Sequence, residues 1–244
     1  MHLAPLDMSV RSSDGITLKG VLTYPSTSAQ SFPLAILAHQ YPGTRDTFAP
    51  LIADLLGLGI ATLAFDQRGH GASIVGASGP VVIETPEGFT ADAFGRAFMA
   101  SASQVGFHHM DNDILRVASW GAVQNFIDPS RLLLVGGSVG GSGVLLAAPN
   151  IAGLRAVITV GAAGAPVFGA DASSRIRTVV EQLTVPVYLA SSRDDPFAGA
   201  ANATEWSRGL KHASAKIVPG TTHAMAIYPD VRNELLDIAR RALT

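Results

Sequence analysis

Short apolar runs alternate along this chain with longer segments in which apolar positions recur at helical spacing. The runs cover residues 34–38, 60–65, 131–135, 156–160, 187–190 and 216–218. Each has the length of a buried strand and is bounded by turn-forming residues. Between them, the helical period marks 47–56, 111–126, 139–148, 173–182, 198–210 and 231–243. Upstream, 7–12 and 16–24 read as two strands of a hairpin around Ser13-Asp14-Gly15. Continuous rather than alternating apolar strands need cover on both faces. The pattern therefore predicts an α/β chain, a doubly wound three-layer sandwich about a mostly parallel sheet.

One stretch breaks the rhythm. Residues 74–109 are much longer than a strand-to-helix connection needs, and they carry the apolar Pro80-Val81-Val82-Ile83. Within them, 90–104 has helical composition, with Phe94 and Phe98 one turn apart on the same face. The stretch reads either as a lid-like insertion or as an irregular surface excursion with its own small core.

Composition narrows the class. The chain has 244 residues, 48% apolar and 15% charged, which suits a single domain with a large core. Its formal net charge is −2, and its basic residues are scattered, which argues against nucleic acid as a partner. With no cysteine, a disulfide framework, a thiolate nucleophile and a cysteine metal site are all excluded. No run of eighteen apolar residues and no basic-then-apolar leader is visible in 1–14. The expectation is a cytoplasmic protein with no membrane span, acting on a small molecule, its oligomeric state open.

The candidate chemistry centres on Gly136-Gly137-Ser138-Val139-Gly140, which joins the strand at 131–135 to the helix at 139–148. A serine at so sharp a turn is pushed out above the sheet edge, and only small neighbours permit it. The helix N-terminus then directs free N–H groups at the reaction centre. A phosphate-binding loop fits less well, because the glycine spacing is wrong and no lysine follows. A second segment, Phe65-Asp66-Gln67-Arg68-Gly69-His70-Gly71-Ala72-Ser73, is a glycine-hinged turn in which Asp66 and Arg68 can tie neighbouring loops together. A third is His39-Gln40-Tyr41-Pro42-Gly43.

On these three segments the chain resembles the α/β-hydrolase superfamily, in its esterase-like or dienelactone-hydrolase-like branch. They match the G-x-S-x-G elbow, the D-x-R-G-x-G-x-S loop and the H-G-x-x-G loop, the last with Gln40 in place of glycine. The resemblance implies an eight-stranded, mostly parallel sheet in one domain spanning 1–244. It also implies Ser138 as nucleophile, and the backbone N–H groups of Tyr41 and Val139 as an oxyanion hole. His39 reads as a strand-end packing residue.

A serine hydroxyl needs a base, and the base needs an acid to hold its tautomer. The superfamily's chain order of serine, acid, histidine leaves His212 and His223 as bases. His223 lies in the loop before the last helix, where the resemblance places the base, whereas His212 reads as a solvated residue near a helix end. Two adjacent carboxylates, Asp194 and Asp195, follow the strand at 187–190. The superfamily's G-x-x-D pattern falls on Ser192 to Asp195 and favours Asp195, leaving Asp194 to flank a helix beginning near Pro196. The cluster His108, His109, Asp111 and Asp113 has metal-like composition, but charge alternation at a helix start explains it more simply.

The expected activity is hydrolysis of a carboxylic ester, or of a thioester or amide, of a small apolar substrate through an acyl-enzyme. No cofactor or metal is implied. Only about twenty-five residues separate the strand at 156–160 from the one at 187–190, too few for a large helical cap. Any cover must come from 74–109. The alternative reading is a non-catalytic protein that uses the same fold to bind a small molecule.

Overall fold

The computed structural model describes residues 4–88 and 90–243. Its strands are β1 (Leu6–Arg11), β2 (Thr17–Thr23), β3 (Phe32–Ala38), β4 (Ala61–Asp66), β5 (Val75–Gly76), β6 (Gly79–Pro80), β7 (Ile127–Gly137), β8 (Leu154–Val160), β9 (Val187–Ser192) and β10 (Ala213–Val218). Its helices are α1 (Ala49–Gly57), α2 (Ala91–Val105), α3 (Met110–Ala122), α4 (Val139–Ala147), α5 (Ala172–Gln182), α6 (Gly199–Ser207) and α7 (Tyr228–Leu243). They build one sheet in the order β10-β9-β8-β7-β3-β4-β2-β5-β6, with β1 on β2. The segment from β10 to β4 is parallel, and β2, β1, β5 and β6 pair antiparallel. Eight strands match the expected sheet. The two-residue β5 and β6 come from the long stretch at 74–109 and extend it by a short ribbon.

The doubly wound reading follows from which way the strand residues point. In β3, Leu34, Ile36 and Ala38 enter one apolar cluster, while Ala35 and Leu37 enter the other. In β7, Leu132 and Leu134 part from Leu133 and Val135 in the same way. One face is closed by α1 and α7 through Leu51, Leu55, Val231 and Leu235. The other is closed by α3 to α6 through Ile114, Val117, Leu145, Ile176 and Trp206. Burying each such side chain contributes about 1.5–3 kcal/mol, which makes the central strands the most strongly fixed part of the molecule. No described helix is long and apolar enough to cross a membrane.

The stretch at 74–109 is tied down. Its helix α2 starts at Thr90, whose hydroxyl accepts from Ala93 N–H at 3.2 Å. At the far end, Arg68 donates to Val105 O at 3.1 Å. Arg68 is fully buried and also pairs with Asp113 of α3 at 2.6 Å and Asp14 of the β1–β2 turn at 2.8 Å. Removing one partner of such a buried group is costly, so Arg68 locks three segments together. Asp66 accepts from Arg45 N at 2.8 Å and Ala72 N at 2.9 Å. The supporting role expected of Asp66 and Arg68 is what the structure displays.

Candidate active site

Ser138 sits between β7 and α4 with φ 51° and ψ −122°. This conformation is unfavourable for a residue with a side chain, and the surroundings hold it in place. Ser138 N donates to Val160 O at 3.1 Å, and its carbonyl accepts from Ala163 N at 3.1 Å. The flanking glycines are required by contact distance. A Cβ on Gly136 would lie 2.4 Å from Gly140 O, and one on Gly140 would lie 2.3 Å from Ala38 O. Strand and helix approach so closely here that the serine alone projects outward.

His223 is carried by the loop after β10. Its Nε2 lies 2.8 Å from Ser138 Oγ and its Nδ1 lies 2.7 Å from Asp195 Oδ2. A carboxylate only accepts, so Nδ1 carries the proton and Nε2 presents its lone pair to the serine hydroxyl. Asp195, 9% exposed, has its remaining acceptor capacity filled by Phe197 N at 2.8 Å and Ser191 Oγ at 3.2 Å. Ser192 Oγ donates to Thr222 O, linking the end of β9 to the loop that carries His223.

Asp194 is exposed, and the carboxylate bonded to His223 is that of Asp195. Asp194 does not flank a helix as expected, because α6 begins only at Gly199, and the residues before it form a turn capped by the Asp195 carboxylate. His212 also departs from its expected solvated role: it is half-buried, its Nε2 2.7 Å from Val180 O of α5. Asp113 is occupied by Arg68, and no group of three His, Asp or Glu suited to a metal ion occurs among the described residues.

The loop after β3 runs beside the serine. His39, fully buried, donates from Nδ1 to Gln40 O at 2.7 Å and accepts at Nε2 from Gln67 N at 2.9 Å. The Gln40 carbonyl belongs to the same peptide plane as Tyr41 N–H, so His39 fixes the direction of that N–H. His39 is thus more than a packing residue. Burial and the neighbouring His70 hold its pKa down at about 3, and burial holds that of His70 at about 4. Among the described residues, neither Tyr41 N–H nor Val139 N–H has a hydrogen-bond partner. Tyr41 OH donates to Glu84 O at 2.7 Å, and its ring packs on Phe98 with centroids 5.3 Å apart.

The stretch at 74–109 therefore reaches the site. Phe94 and Phe98 of α2 join Tyr41, Gly164, Phe197 and Ser138 around a cavity of about 150 Å³. Phe197 also packs on the His223 ring at 4.6 Å. The sequence gives little sign of Gly164 or Phe197 as wall residues, beyond their positions after β8 and β9 at the carboxyl edge of a parallel sheet, where ligand crevices form.

Residues 4–168 match the model of the acetyl xylan esterase (AXE1) family. An uncharacterized protein of Mycobacterium tuberculosis, found in strains H37Rv and CDC 1551 / Oshkosh, is 30% identical over 134 residues. That match spans 55% of this chain but only 37% of the relative. Among solved structures, Est1E from Butyrivibrio proteoclasticus with ferulic acid bound superposes with a TM-score of 0.68 at 19% identity, covering 96% of both chains. The α/β hydrolase GrgF from Penicillium sp. sh18 gives 0.68 at 17% identity and 99% of both. Dienelactone hydrolase from Anabaena variabilis gives 0.61 at 18%, covering 98% of this chain and 96% of its own. With its sheet order, elbow and family match, this chain belongs to the acetyl xylan esterase (AXE1) family and has the α/β-hydrolase fold.

Proposed function

We propose that this protein is a serine hydrolase that cleaves carboxylic esters of small apolar acyl groups through an acyl-enzyme. The observation that carries this reading is the unbroken hydrogen-bond chain Asp195–His223–Ser138, which opens onto an apolar cavity. The family match and the hydrolases among the structural relatives support it.

In this mechanism His223 Nε2 takes the proton from Ser138 Oγ as the oxygen attacks the acyl carbon. Asp195 keeps the imidazole in the right tautomer and stabilises the imidazolium. The developing oxyanion is received by Tyr41 N–H and Val139 N–H, the latter at the N-terminus of α4. Collapse of the tetrahedral adduct passes the proton from His223 to the leaving alcohol. Water, activated by the same imidazole, then releases the acid. Phe94 and Phe98 make α2 a lid over the acyl group, and the apolar walls favour short hydrocarbon chains.

The test is labelling by a fluorophosphonate probe together with turnover of p-nitrophenyl acetate and butyrate. Wild type should label and turn over, and Ser138→Ala should do neither. A wild-type protein that neither labels nor hydrolyses would overturn the proposal in favour of a non-catalytic binding role.

A further inference from the structure

Phe197 touches both the acid and the base of the site. Its N–H donates to Asp195 Oδ1 at 2.8 Å, the carboxylate oxygen that His223 does not use. Its ring packs on the His223 imidazole with centroids 4.6 Å apart and planes inclined at 57°. Phe94 of α2 backs Phe197 in turn, with centroids 6.2 Å apart. The carboxylate that orients the imidazole thus also fixes the backbone that carries the ring beside it.

Two cavities open next to this pair. The smaller, of about 150 Å³, reaches Ser138 and Gly164. The larger, of about 530 Å³, runs past Pro42, Pro196 and Ala224. Phe197 and His223 line both. Removing the phenyl ring would add its volume to these spaces beside the imidazole and give the imidazole room to turn.

Under the serine-hydrolase reading, on which this inference rests, the hold on His223 changes during turnover. Before the reaction, Ser138 Oγ and Asp195 Oδ2 pin the ring at Nε2 and Nδ1. Acylation bonds Ser138 Oγ to the acyl carbon, breaks the bond from that carbon to the leaving oxygen, and passes the serine proton through Nε2 to the alcohol. Oγ then has no hydrogen left to donate. Nε2 must next take a proton from water as the water oxygen bonds to the acyl carbon, and return it to Oγ as the adduct collapses. At this stage one hydrogen bond, from Nδ1 to Asp195, fixes the imidazole, and a single bond leaves the ring free to pivot about it. Packing against Phe197 opposes that pivot.

We infer that Phe197 is a positioning residue for the second half of the reaction. Its ring holds the His223 imidazole in line for water once Ser138 is acylated.

The test follows p-nitrophenol release from p-nitrophenyl butyrate, in steady state and by stopped flow. In Phe197→Ala, kcat should fall about tenfold, the scale of a modest misplacement of a catalytic group. KM should fall with it, so that kcat/KM, which reports only the steps up to acylation, stays within about threefold of wild type. Acyl-enzyme should accumulate, giving a burst of p-nitrophenol ahead of the steady rate. Phe197→Val should show the same split to a lesser degree, which keeps the comparison available if the alanine variant does not fold. Phe197→Tyr, which keeps a ring, should recover most of the lost kcat. A raised KM with kcat unchanged would make Phe197 a wall of the cavity only, and a kcat/KM that falls as far as kcat would make its role merely structural. Either result would overturn the inference while leaving the hydrolase reading intact. A wild type that neither turns over the ester nor labels with a fluorophosphonate would overturn both.

Discussion

The imidazole of His39 bridges two backbone groups, donating to the Gln40 carbonyl and accepting from the Gln67 amide. One ring nitrogen thus orients the peptide that carries Tyr41 N–H, and the other anchors the ring to the residue that follows β4. His39→Leu should remove both bonds and leave Gln67 N–H unpaired in the interior. The expected result is a loss of about 1–3 kcal/mol in denaturant unfolding. Ester turnover should also fall, with the loss in kcat rather than KM, because an oxyanion donor acts mainly in the transition state. An unaltered kcat would remove His39 from any role in positioning Tyr41.

The same ring predicts how stability varies with pH. His39 and His70 have folded pKa values of about 3 and about 4, against an ordinary 6.5. Protonating His39 would convert Nε2 from an acceptor into a donor set against the Gln67 N–H. Protonating His70 would create a buried N–H at Nε2, an atom without a partner among the described residues. Below 6.5 the unfolded chain binds protons that the folded chain refuses. The stability these groups confer is therefore complete above pH 6.5 and is lost as pH falls toward 4 for His70 and 3 for His39. Urea unfolding from pH 7 to pH 4 should show stability falling by up to about 1.4 kcal/mol per pH unit for each histidine. His70→Phe should flatten that slope relative to wild type, and an equal slope would contradict the assignment.

The approach of β7 to α4 sets a third expectation. A Cβ on Gly140 would meet Ala38 O at 2.3 Å, a backbone atom with nowhere to move in the middle of the sheet. Gly140→Ala should therefore destabilise the fold by about 1–3 kcal/mol and move Ser138 with it. Thermal melts and fluorophosphonate labelling rates would report the two effects separately.

How much of this was legible in the sequence depends on range. The buried strands β3, β4, β7 and β8 announce themselves, because each is an apolar run with helical pattern on either side. Their ends do so less well: β7 begins at Ile127 rather than at Arg131, since the edge residues between are exposed and carry no apolar signal. Ser138 and His223 stand in loops whose position follows from the strand order. The G-x-x-D pattern favoured Asp195 over its neighbour Asp194, and Asp195 is the carboxylate that faces His223, because the turn before α6 directs its side chain inward. Arg68 illustrates the limit. Its partners Asp14 and Asp113 lie 54 and 45 residues away, so no local pattern could pair them. The stretch at 74–109 showed its helix but not its destination, because Phe94 and Phe98 reveal a face and not what the face covers.

That face yields a test of acyl selectivity. Phe98 borders the smaller cavity, and its ring would lie 2.9 Å from a Cβ placed on Gly164. Phe98→Ala should open the end of this space. Across a panel of p-nitrophenyl esters, the acyl length giving the highest kcat/KM should shift upward by several carbons, while acetate loses activity as its packing is lost. An optimum that stays in place would mean that α2 does not bound the acyl group.

The last expectation concerns the two adjacent carboxylates. Asp195 Oδ2 meets the proton on His223 Nδ1, whereas the Asp194 side chain is exposed and meets neither His223 nor Ser138. Asp195→Asn would place an amide opposite Nδ1 that can donate to it. The imidazole would then favour the tautomer with its proton on Nε2, facing the serine hydroxyl with a hydrogen instead of a lone pair. The nucleophile would lose its base without losing its position, so kcat should fall by about 10³–10⁴, as expected of a triad with the wrong tautomer. The amide oxygen can still accept from Phe197 N–H, which keeps the turn before α6 in place, so melting should change far less than turnover. Asp194→Asn should leave kcat within about twofold, since surface substitutions away from the site have small effects. If Asp194→Asn abolished turnover and Asp195→Asn did not, the acid would be the neighbour, and the loop would have to rearrange to bring it to His223.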